Sequence, residues 1–257
     1  MDCMLGDKEA NLAKANGLIQ EAVDHGAKLI ILPELFNTGY RVEDRDQQLA
    51  ETIPGETTTW LEQICKQHQV YIVGCILEKC KVNGIIYDTA FVIGPDGYIG
   101  SYRKTHLWDK ENVRFTKGLN LPVFDLGFVC LGIQICYEIG FPECTRSLTL
   151  QGADIIAYPS AFGKERYYAW DLASRSRALE NGVYVIACNR TGLEKGETEF
   201  GGKSRIVDPS GKVLIEASLT DEVILSEIDL DLVAVQRKKI PYLRDLNRHL
   251  MQEVYYH

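Results

Sequence analysis

The chain has 257 residues, of which 46% are hydrophobic and 25% are charged. This length supports one large domain with a well-buried core, and the composition excludes disordered, collagen-like and repeat-array proteins. The 28 basic and 36 acidic residues give a formal net charge of −8, which lacks the clustered positive charge of nucleic-acid or anionic-membrane binders.

The eight cysteines are spaced unlike those of a metal site or a disulfide scaffold. None forms the C-x-x-C pair of zinc and dithiol sites, and their density is below that of disulfide-rich domains. They stand at Cys3, Cys65, Cys75, Cys80, Cys130, Cys136, Cys144 and Cys188. Most lie in or beside apolar runs, where a thiol behaves as a small hydrophobic group. We therefore expect mostly buried, reduced thiols, a cytoplasmic protein and no bound metal.

The sequence shows neither a membrane segment nor a nucleotide-binding loop. No signal peptide opens the chain, and no apolar run approaches the roughly 20 residues of a membrane helix. The patterns G-x-G-x-x-G and G-x-S-x-G are both absent. We expect no membrane partner, no nucleic-acid partner, no cofactor and no serine nucleophile.

The first half of the chain predicts alternating helices and apolar strands. A helix begins after Asp7 and stops at Gly26, and the strand KLIILPEL follows at once. A second helix, at about residues 56–68, leads to the strands VYIVGCIL and IIYDTAFVI. Pro95-Asp96-Gly97 then closes a hairpin.

The second half predicts the same kind of alternation. The strand VCLGIQIC precedes a helix that starts at Pro142 and ends at Gly152. Next come the strand DIIAYPS, a helix at about residues 165–181 and the strand VYVIAC. The strands KSRIVD, VLIEA and VILSEID follow, with a turn at Pro209-Ser210-Gly211. Because the strands are apolar without clean alternation, we place them in sheets that are covered on both faces.

Three segments recur in the same order in both halves, which favours an internal duplication within a single domain spanning residues 1–257. They are GAKLIILP and GADIIAYP from Gly26 and Gly152, VYIVGC and VYVIAC from Val70 and Val183, and GPDGYI and DPSGKV from Gly94 and Asp208. Alternating α/β chains resemble themselves in part, but three ordered matches favour duplication. The counterpart of VCLGIQIC would precede Met1, so we expect the first strand to be missing or truncated, with MDCM as its remnant.

Three polar residues stand just beyond the ends of predicted strands, where ligands gather in covered α/β sheets. Glu34 ends LIILPE, Cys136 ends LGIQIC, and Lys104 follows the hairpin strand in GSYRKTHLW. A thiol beside helical N–H groups can act as a nucleophile, and a carboxylate next to apolar residues needs a partner or a task. Each also has an ordinary interpretation: a solvated rim carboxylate, a further buried cysteine and a surface lysine. His106 offers an alternative Cys/His pairing.

Together, LPELF, YRKTHLW and GIQICYEIGFPE resemble the motifs of the nitrilase superfamily of carbon–nitrogen hydrolases, and the similarity extends to GADIIAYPSAF, RSRALENGVYVIACNRTG and FGGKSRIVDPSG. This resemblance spans nearly the entire chain. It implies an α/β fold, a four-layer α-β-β-α sandwich with pseudo-twofold halves. Subunits of this family pair, which implies a homodimer or a higher homo-oligomer.

The resemblance also implies roles for five residues. Cys136 corresponds to the nucleophile, Glu34 to the general base and Lys104 to the group that stabilises the tetrahedral intermediate. Glu111 matches the second glutamate of the family, which orients the site through hydrogen bonds. The backbone N–H of Tyr137 would help to bind the oxyanion, and the Lys104 cation would favour a thiolate at the nucleophile.

Four further side chains are expected to border the pocket. They are Tyr40, Glu138, Phe162 and Tyr167. They complete the candidate set for binding a small-molecule substrate.

The residues that follow the nucleophile narrow the expected reaction. Cys136-Tyr137-Glu138 resembles the amidase and carbamoylase branches, whereas nitrilases show Cys-Trp-Glu. Gly140 stands where ω-amidase-like members carry an arginine, which weakens a dicarboxylate-monoamide assignment. We expect an amidase that releases ammonia from a small amide, with an N-carbamoyl amino acid hydrolase or a nitrilase as alternatives. A non-enzymatic alternative is a redox-sensing protein with an oxidisable thiol at Cys136.

Overall fold

Two β-sheets pack face to face between two layers of helices in the computed structural model, which describes residues 1–249. The first sheet has the order β1-β2-β3-β4, and the second has the order β12-β11-β8-β7-β6-β5. β9 and β10 form a separate two-stranded ribbon. This arrangement confirms the expected α-β-β-α sandwich.

The described elements have the following bounds. The helices are α1 Lys8–Asp24, α2 Asp46–Leu49, α3 Glu56–His68, α4 Glu111–Arg114, α5 Pro142–Leu150, α6 Tyr167–Asn181, α7 Asp231–Lys239 and α8 Tyr242–Asp245, with 3-10 turns at Glu43–Arg45, Cys136–Gly140 and Lys164–Arg166. The strands are β1 Leu29–Ile31, β2 Tyr71–Lys79, β3 Ile86–Gly94, β4 Gly97–Arg103, β5 Val123–Asp125, β6 Cys130–Ile133, β7 Ile155–Ser160, β8 Tyr184–Asn189, β9 Leu193–Glu194, β10 Thr198–Glu199, β11 Arg205–Val207 and β12 Val213–Glu216.

Alternation along the central strands divides the core into two faces. On β2, Ile72 and Ile76 pack with residues of α1 and α3, whereas Val73 and Cys75 pack with the second sheet. Successive side chains of a strand point to opposite faces, so one strand serves both layers. This explains why the strands are apolar throughout and why the sequence shows no clean two-residue period.

Local sequence signals correctly predicted the positions of helices α1 and α3. The Asp7 side chain accepts the N–H of Ala10 at 3.0 Å and so caps α1, while Gly26 follows the helix at a φ of 83° that suits glycine. The bounds of α3 agree with the expectation for residues 56–68. Because these signals are local, they do not depend on which element packs against the helix.

The matched segments of the two halves occupy corresponding strands. β1 runs parallel to β2, as β7 runs parallel to β8. The turns at Gly94 and Asp208 join the strand pairs β3–β4 and β11–β12. The sheet order therefore agrees with the pseudo-twofold repeat expected from the sequence.

The outer edge of β1 has no partner strand within residues 1–249, although its counterpart β7 pairs there with β6. A groove of about 830 Å³ runs along this edge, between residues 28–33 and residues 222–228. The segment VILSEID at residues 223–229 was expected to be a strand and is not one, since no strand among residues 1–249 pairs with it. Residues 1–4 form no strand, and the unpaired edge of β1 within residues 1–249 agrees with the expectation that the first strand is missing or truncated. Met1 and Cys3 instead lie buried against the first core.

Within residues 1–249, the helices are too short or too polar to span a lipid bilayer.

Candidate active site

Loops at the ends of three strands bring the three motif residues together. Glu34 follows β1, Lys104 directly follows β4, and Cys136 follows β6. Their exposed fractions are 0%, 0% and 7%, respectively. None is the solvated surface residue that an ordinary interpretation of Glu34 or Lys104 required.

The candidate nucleophile sits on a strained turn. Cys136 is the first residue of the 3-10 turn Cys136–Gly140 and has a φ of 50°. A side chain other than glycine rarely adopts this left-handed region, because Cβ approaches the backbone. Strain of this kind persists where the surroundings hold the residue in place, which is common at active sites.

Lys104 forms the centre of a buried charge cluster. Its Nζ lies 2.6 Å from Glu34, 3.0 Å from Glu111 and 3.3 Å from Asp88. Burial acts to lower the pKa of Lys104, but the negative charges of Glu111, Glu34 and Asp88 raise it well above its usual value. Lys104 is therefore a fixed ammonium ion.

Glu34 joins Lys104 to the thiol. Its Oε1 accepts from Lys104, its Oε2 accepts the backbone N–H of Ala161 at 2.7 Å, and the carboxylate also hydrogen-bonds with Cys136. Burial acts to raise the pKa of Glu34, but the Lys104 charge and hydrogen bonds from Asp88, Lys104 and Cys136 outweigh it, and the pKa is lowered. Glu34 is thus an ionised acceptor placed at the thiol.

Opposing effects act on the pKa of the Cys136 thiol: the Lys104 charge favours a thiolate, as the resemblance implied, but other effects outweigh it. Burial and the adjacent Glu34 charge raise the pKa of Cys136 well above its usual value, although the Lys104 charge opposes them. A neutral thiol needs a base in order to react. Glu34 is in the position to be that base.

His106 is not in a position to act as the base for Cys136. Its ring stacks on Phe141 with the centroids 4.0 Å apart, and its Nδ1 lies 2.9 Å from Thr105 and 3.8 Å from the sulfur of Cys144. Glu34, and not His106, hydrogen-bonds with Cys136. The geometry therefore favours the Glu–Lys–Cys set over the Cys/His pairing.

Glu111 is the first residue of α4 and is 1% exposed. Its Oε1 accepts from Lys104 at 3.0 Å and from the Tyr40 hydroxyl at 2.7 Å, and its Oε2 accepts the Trp108 N–H at 2.8 Å. These contacts connect Lys104 to Tyr40 on the pocket wall. Glu111 thus has the hydrogen-bonding position that the resemblance implied.

One member of the cluster, Asp88, was not predicted from the sequence. Asp88 lies within β3, has no exposed surface, and contacts Lys104 as well as the thiol of Cys75, whose sulfur is 3.1 Å from Oδ1. An acidic residue inside an apolar strand was the available signal, because burying a carboxyl group is costly without partners. The carboxyl groups of Glu34, Asp88 and Glu111 have oxygens within 4.8 Å of one another, a spacing that can hold a metal ion. Here the Lys104 ammonium contacts all three.

A cavity of about 380 Å³ opens onto Cys136. Tyr40, Tyr137 and Phe162 line it, as the sequence analysis expected, and Trp108 adds a further aromatic ring. Gly140 also lines it. The cavity is large enough for a small substrate with an apolar or mixed acyl group.

Two expected pocket residues are not on the wall of this cavity. Glu138 is fully buried, and its carboxylate accepts five hydrogen bonds from the protein. The hydroxyl of Tyr167 contacts Arg205 and Glu216 instead. Sequence proximity to the nucleophile or to a lining helix does not reveal which way a side chain points.

Three arginines line the cavity, and two of them form ion pairs with acidic side chains. Arg41 pairs with Glu43, and Arg114 makes a bidentate pair with Asp46 in which both N–O distances are 2.8 Å. Arg166 makes no ion pair within residues 1–249, and its guanidinium lies 4.8 Å from the centre of the Trp108 ring. Sequence reasoning did not single out Arg166.

The sequence of the chain is similar to those of known proteins. The carbon-nitrogen hydrolase family model matches residues 3–238. A nitrilase of Pyrococcus abyssi is 43% identical over 100% of this chain and 97% of its own length. The omega-amidase NIT2 of Xenopus tropicalis is 35% identical over 96% of this chain and 92% of its own length.

Solved structures agree. The carbon-nitrogen hydrolase of Helicobacter pylori superposes with a TM-score of 0.93 at 28% identity, covering 99% of this chain and 96% of that one. Nit3 of Saccharomyces cerevisiae, a member of the nitrilase superfamily, gives 0.89 at 30% identity, covering 96% of this chain and 93% of that one. The chain therefore belongs to the carbon-nitrogen hydrolase family.

Proposed function

We propose that the protein hydrolyses the carbon–nitrogen bond of a small, linear amide and gives a carboxylic acid and ammonia. The observation that carries this proposal is the convergence of Glu34, Lys104 and Cys136 beside the cavity of about 380 Å³ that opens onto Cys136. An ionised base hydrogen-bonds with a neutral thiol, and a buried cation contacts the base.

The acylation step follows from these protonation states. Glu34 takes the proton of the Cys136 thiol as the sulfur attacks the amide carbonyl carbon. The carbonyl oxygen becomes an oxyanion, which the Lys104 ammonium stabilises. Glu34 then returns the proton to the nitrogen, so that the carbon–nitrogen bond breaks, ammonia leaves and a thioester remains on Cys136.

Deacylation uses the same base. Glu34 takes a proton from water as the water oxygen attacks the thioester carbonyl, and the carbon–sulfur bond breaks. The proton returns to the sulfur and the carboxylic acid leaves. The sum is amide plus water to acid plus ammonia.

Arg166, which makes no ion pair within residues 1–249, supports a preference for amides that carry an anionic group. Although Gly140 replaces the arginine of ω-amidase-like members, Arg166 offers a cation to the same cavity from the turn before α6. An arginine without a carboxylate partner is suited to bind an anionic group of a ligand. Monoamides of dicarboxylic acids therefore belong in any substrate panel, beside their uncharged analogues.

The central test is ammonia release from a panel of aliphatic, amino-acid and dicarboxylic monoamides. We expect turnover of at least one amide by the wild type and none by Cys136→Ala, because the nucleophile is lost. Cys80→Ser is the matched control, since Cys80 lies just after β2 and does not line the cavity, and it should keep wild-type activity. Full activity of Cys136→Ala would refute the mechanism.

The same assay separates the alternatives. Turnover of nitriles alone would favour the activity named for the Pyrococcus abyssi relative. Carbon dioxide released together with ammonia from N-carbamoyl amino acids would indicate carbamoyl hydrolysis. Iodoacetamide labelling of Cys136 without any turnover would favour a thiol sensor.

A further inference from the structure

The buried cluster around Lys104 holds more acidic groups than its cation can balance. Glu34, Glu111 and Asp88 surround one ammonium, and none of the four side chains exceeds 1% exposure. If all three carboxyl groups were ionised, the cluster would carry two uncompensated negative charges away from water. Such a charge is so costly that one acid keeps its proton instead.

The hydrogen bonds indicate which acid that is. Glu34 accepts the Ala161 N–H and Glu111 accepts the Trp108 N–H, at 2.7 and 2.8 Å, in addition to their short contacts with Lys104. Asp88 has the longest contact with Lys104, 3.3 Å, and its other oxygen faces the Cys75 thiol, a weak donor. Asp88 is therefore the least stabilised as a carboxylate.

We propose that Asp88 is held as a carboxylic acid whose O–H donates a hydrogen bond to Glu34, and that it acts as a positioning residue for this base. The inference rests on the proposed amide hydrolysis at the same site. An acid that donates to Glu34 holds the carboxylate in its ionised form and fixes its orientation toward Cys136. Asp88 itself does not touch the reacting atoms.

The surrounding charges agree with this assignment. Burial raises the pKa of Asp88 well above its usual value, and the Glu34 charge raises it further, while the Lys104 charge opposes them and Glu111 adds to the increase. Burial, together with the Glu34 charge, raises the pKa of the Cys75 thiol on the adjacent strand well above its usual value, so Cys75 adds no charge to the cluster. These groups face Asp88 from β1, β2, β4 and α4, and Lys104 is the one cation among them.

Two substitutions test whether Asp88 acts as a hydrogen-bond donor or as a negative charge. In Asp88→Asn the amide NH₂ replaces the O–H donor, so we expect kcat/KM within about threefold of the wild type and an unchanged pH profile. In Asp88→Leu no donor remains, so the Glu34 pKa rises and the acidic limb of the profile moves to higher pH. One lost charge-assisted hydrogen bond corresponds to a decrease in kcat/KM of roughly tenfold to a hundredfold. Thr89→Val, at the next position of β3 and directed to Glu78, is the control.

Infrared spectroscopy tests whether the Asp88 carboxyl group carries a proton, without relying on turnover. The wild type should show the C=O band of a protonated carboxyl group at neutral pH, and this band should be missing from Asp88→Asn. Absence of the band in the wild type, or an Asp88→Asn variant as impaired as Asp88→Leu, would overturn the proposal. If the wild type hydrolyses no amide but shows the band, the proposed function fails while the proton assignment holds. Circular dichroism identifies any variant that does not fold.

Discussion

Glu138 shapes the site without lying on its wall. Its Oε1 accepts from the Tyr102 hydroxyl, from the N–H and hydroxyl of Thr105 and from the N–H of His106, and its Oε2 accepts the Ile135 N–H. These donors belong to residues 102–106, on both sides of Lys104, and to Ile135, which precedes Cys136. The Glu138 carboxylate thus connects the segment around Lys104 to the turn that carries Cys136.

We predict that Glu138→Gln lowers the free energy of unfolding by about 1.5–3 kcal/mol, because the amide cannot accept this set of charge-assisted hydrogen bonds. Burial acts to raise the pKa of Glu138, but hydrogen bonds from His106, Thr105 and Tyr102 lower it overall. A lowered folded-state pKa stabilises the protein above the unfolded-state pKa, and this stabilisation is lost as the pH falls through the folded value.

Urea unfolding at neutral pH and well below the usual glutamate pKa of about 4.3 checks both parts of this prediction. The difference between wild type and Glu138→Gln should shrink at the lower pH. Glu165→Gln, on an exposed position, should show no difference at either pH. A difference that grows with acidity would contradict the assignment of Glu138 as a carboxylate.

The residues of the candidate site could be predicted from the sequence where they stand in recognisable motifs. Glu34, Lys104, Cys136 and Glu111 each stand in a recognisable segment, and all four meet in the structure. Asp88 stands in the strand YDTAF, where nothing in the sequence shows that three other charged groups approach it from different elements. The raised pKa of the Cys136 thiol could not be predicted for the same reason, since it depends on burial and on the Glu34 charge.

At the level of elements, the turn Cys136–Gly140 combines strain with function. With a φ of 50°, Cys136 occupies a region that glycine enters without penalty. We predict that Cys136→Gly is more stable than Cys136→Ala by about 1 kcal/mol, although both are inactive. Thermal unfolding of the two purified variants measures this difference directly.

Ala157 provides the comparison for that prediction. It lies in β7, where the backbone is extended, and it is fully buried. There, Ala157→Gly should lower stability by about 0.5–1 kcal/mol. If glycine were also destabilising at position 136, the left-handed turn would not describe the protein in solution.

Helices and strands differed in how well the sequence predicted them. Capping and periodicity near Asp7 and Gly26 are sufficient to place α1. Residues 223–229 have the composition of a strand, but a strand forms only where a neighbour accepts and donates its hydrogen bonds. Since that neighbour is not among residues 1–249, the composition alone was misleading.

For the whole molecule, the duplication visible in the sequence predicted the layers of the sandwich. It could not predict which surface would join the subunits of the expected homodimer. α6 leaves an apolar stripe in solvent, with Tyr168, Leu172 and Leu179 exposed by 73%, 67% and 37%. The opposite face of the helix packs against the second sheet through Trp170 and Ala178.

We propose that this stripe pairs with its own copy in a homodimer, because a twofold axis presents the same patch on both subunits. Leu172→Glu should give a monomer by light scattering, since it would bring two carboxylates together in an apolar contact. Leu119→Glu alters a side chain of 91% exposure outside α6 and should keep the wild-type mass. A dimeric Leu172→Glu would place the contact elsewhere.

The outer edge of β1, which has no partner strand within residues 1–249, has a consequence that we expect in concentrated solutions of the protein. An unpaired strand edge offers N–H and C=O groups to any other chain, and edge-to-edge addition of this kind is a common start of aggregation. The groove along this edge carries charges at its borders, from Lys28, Glu222 and Glu227. Charged residues beside an exposed edge oppose the stacking of identical molecules. We therefore expect these three side chains to oppose edge-to-edge association of the protein and so to favour its colloidal stability.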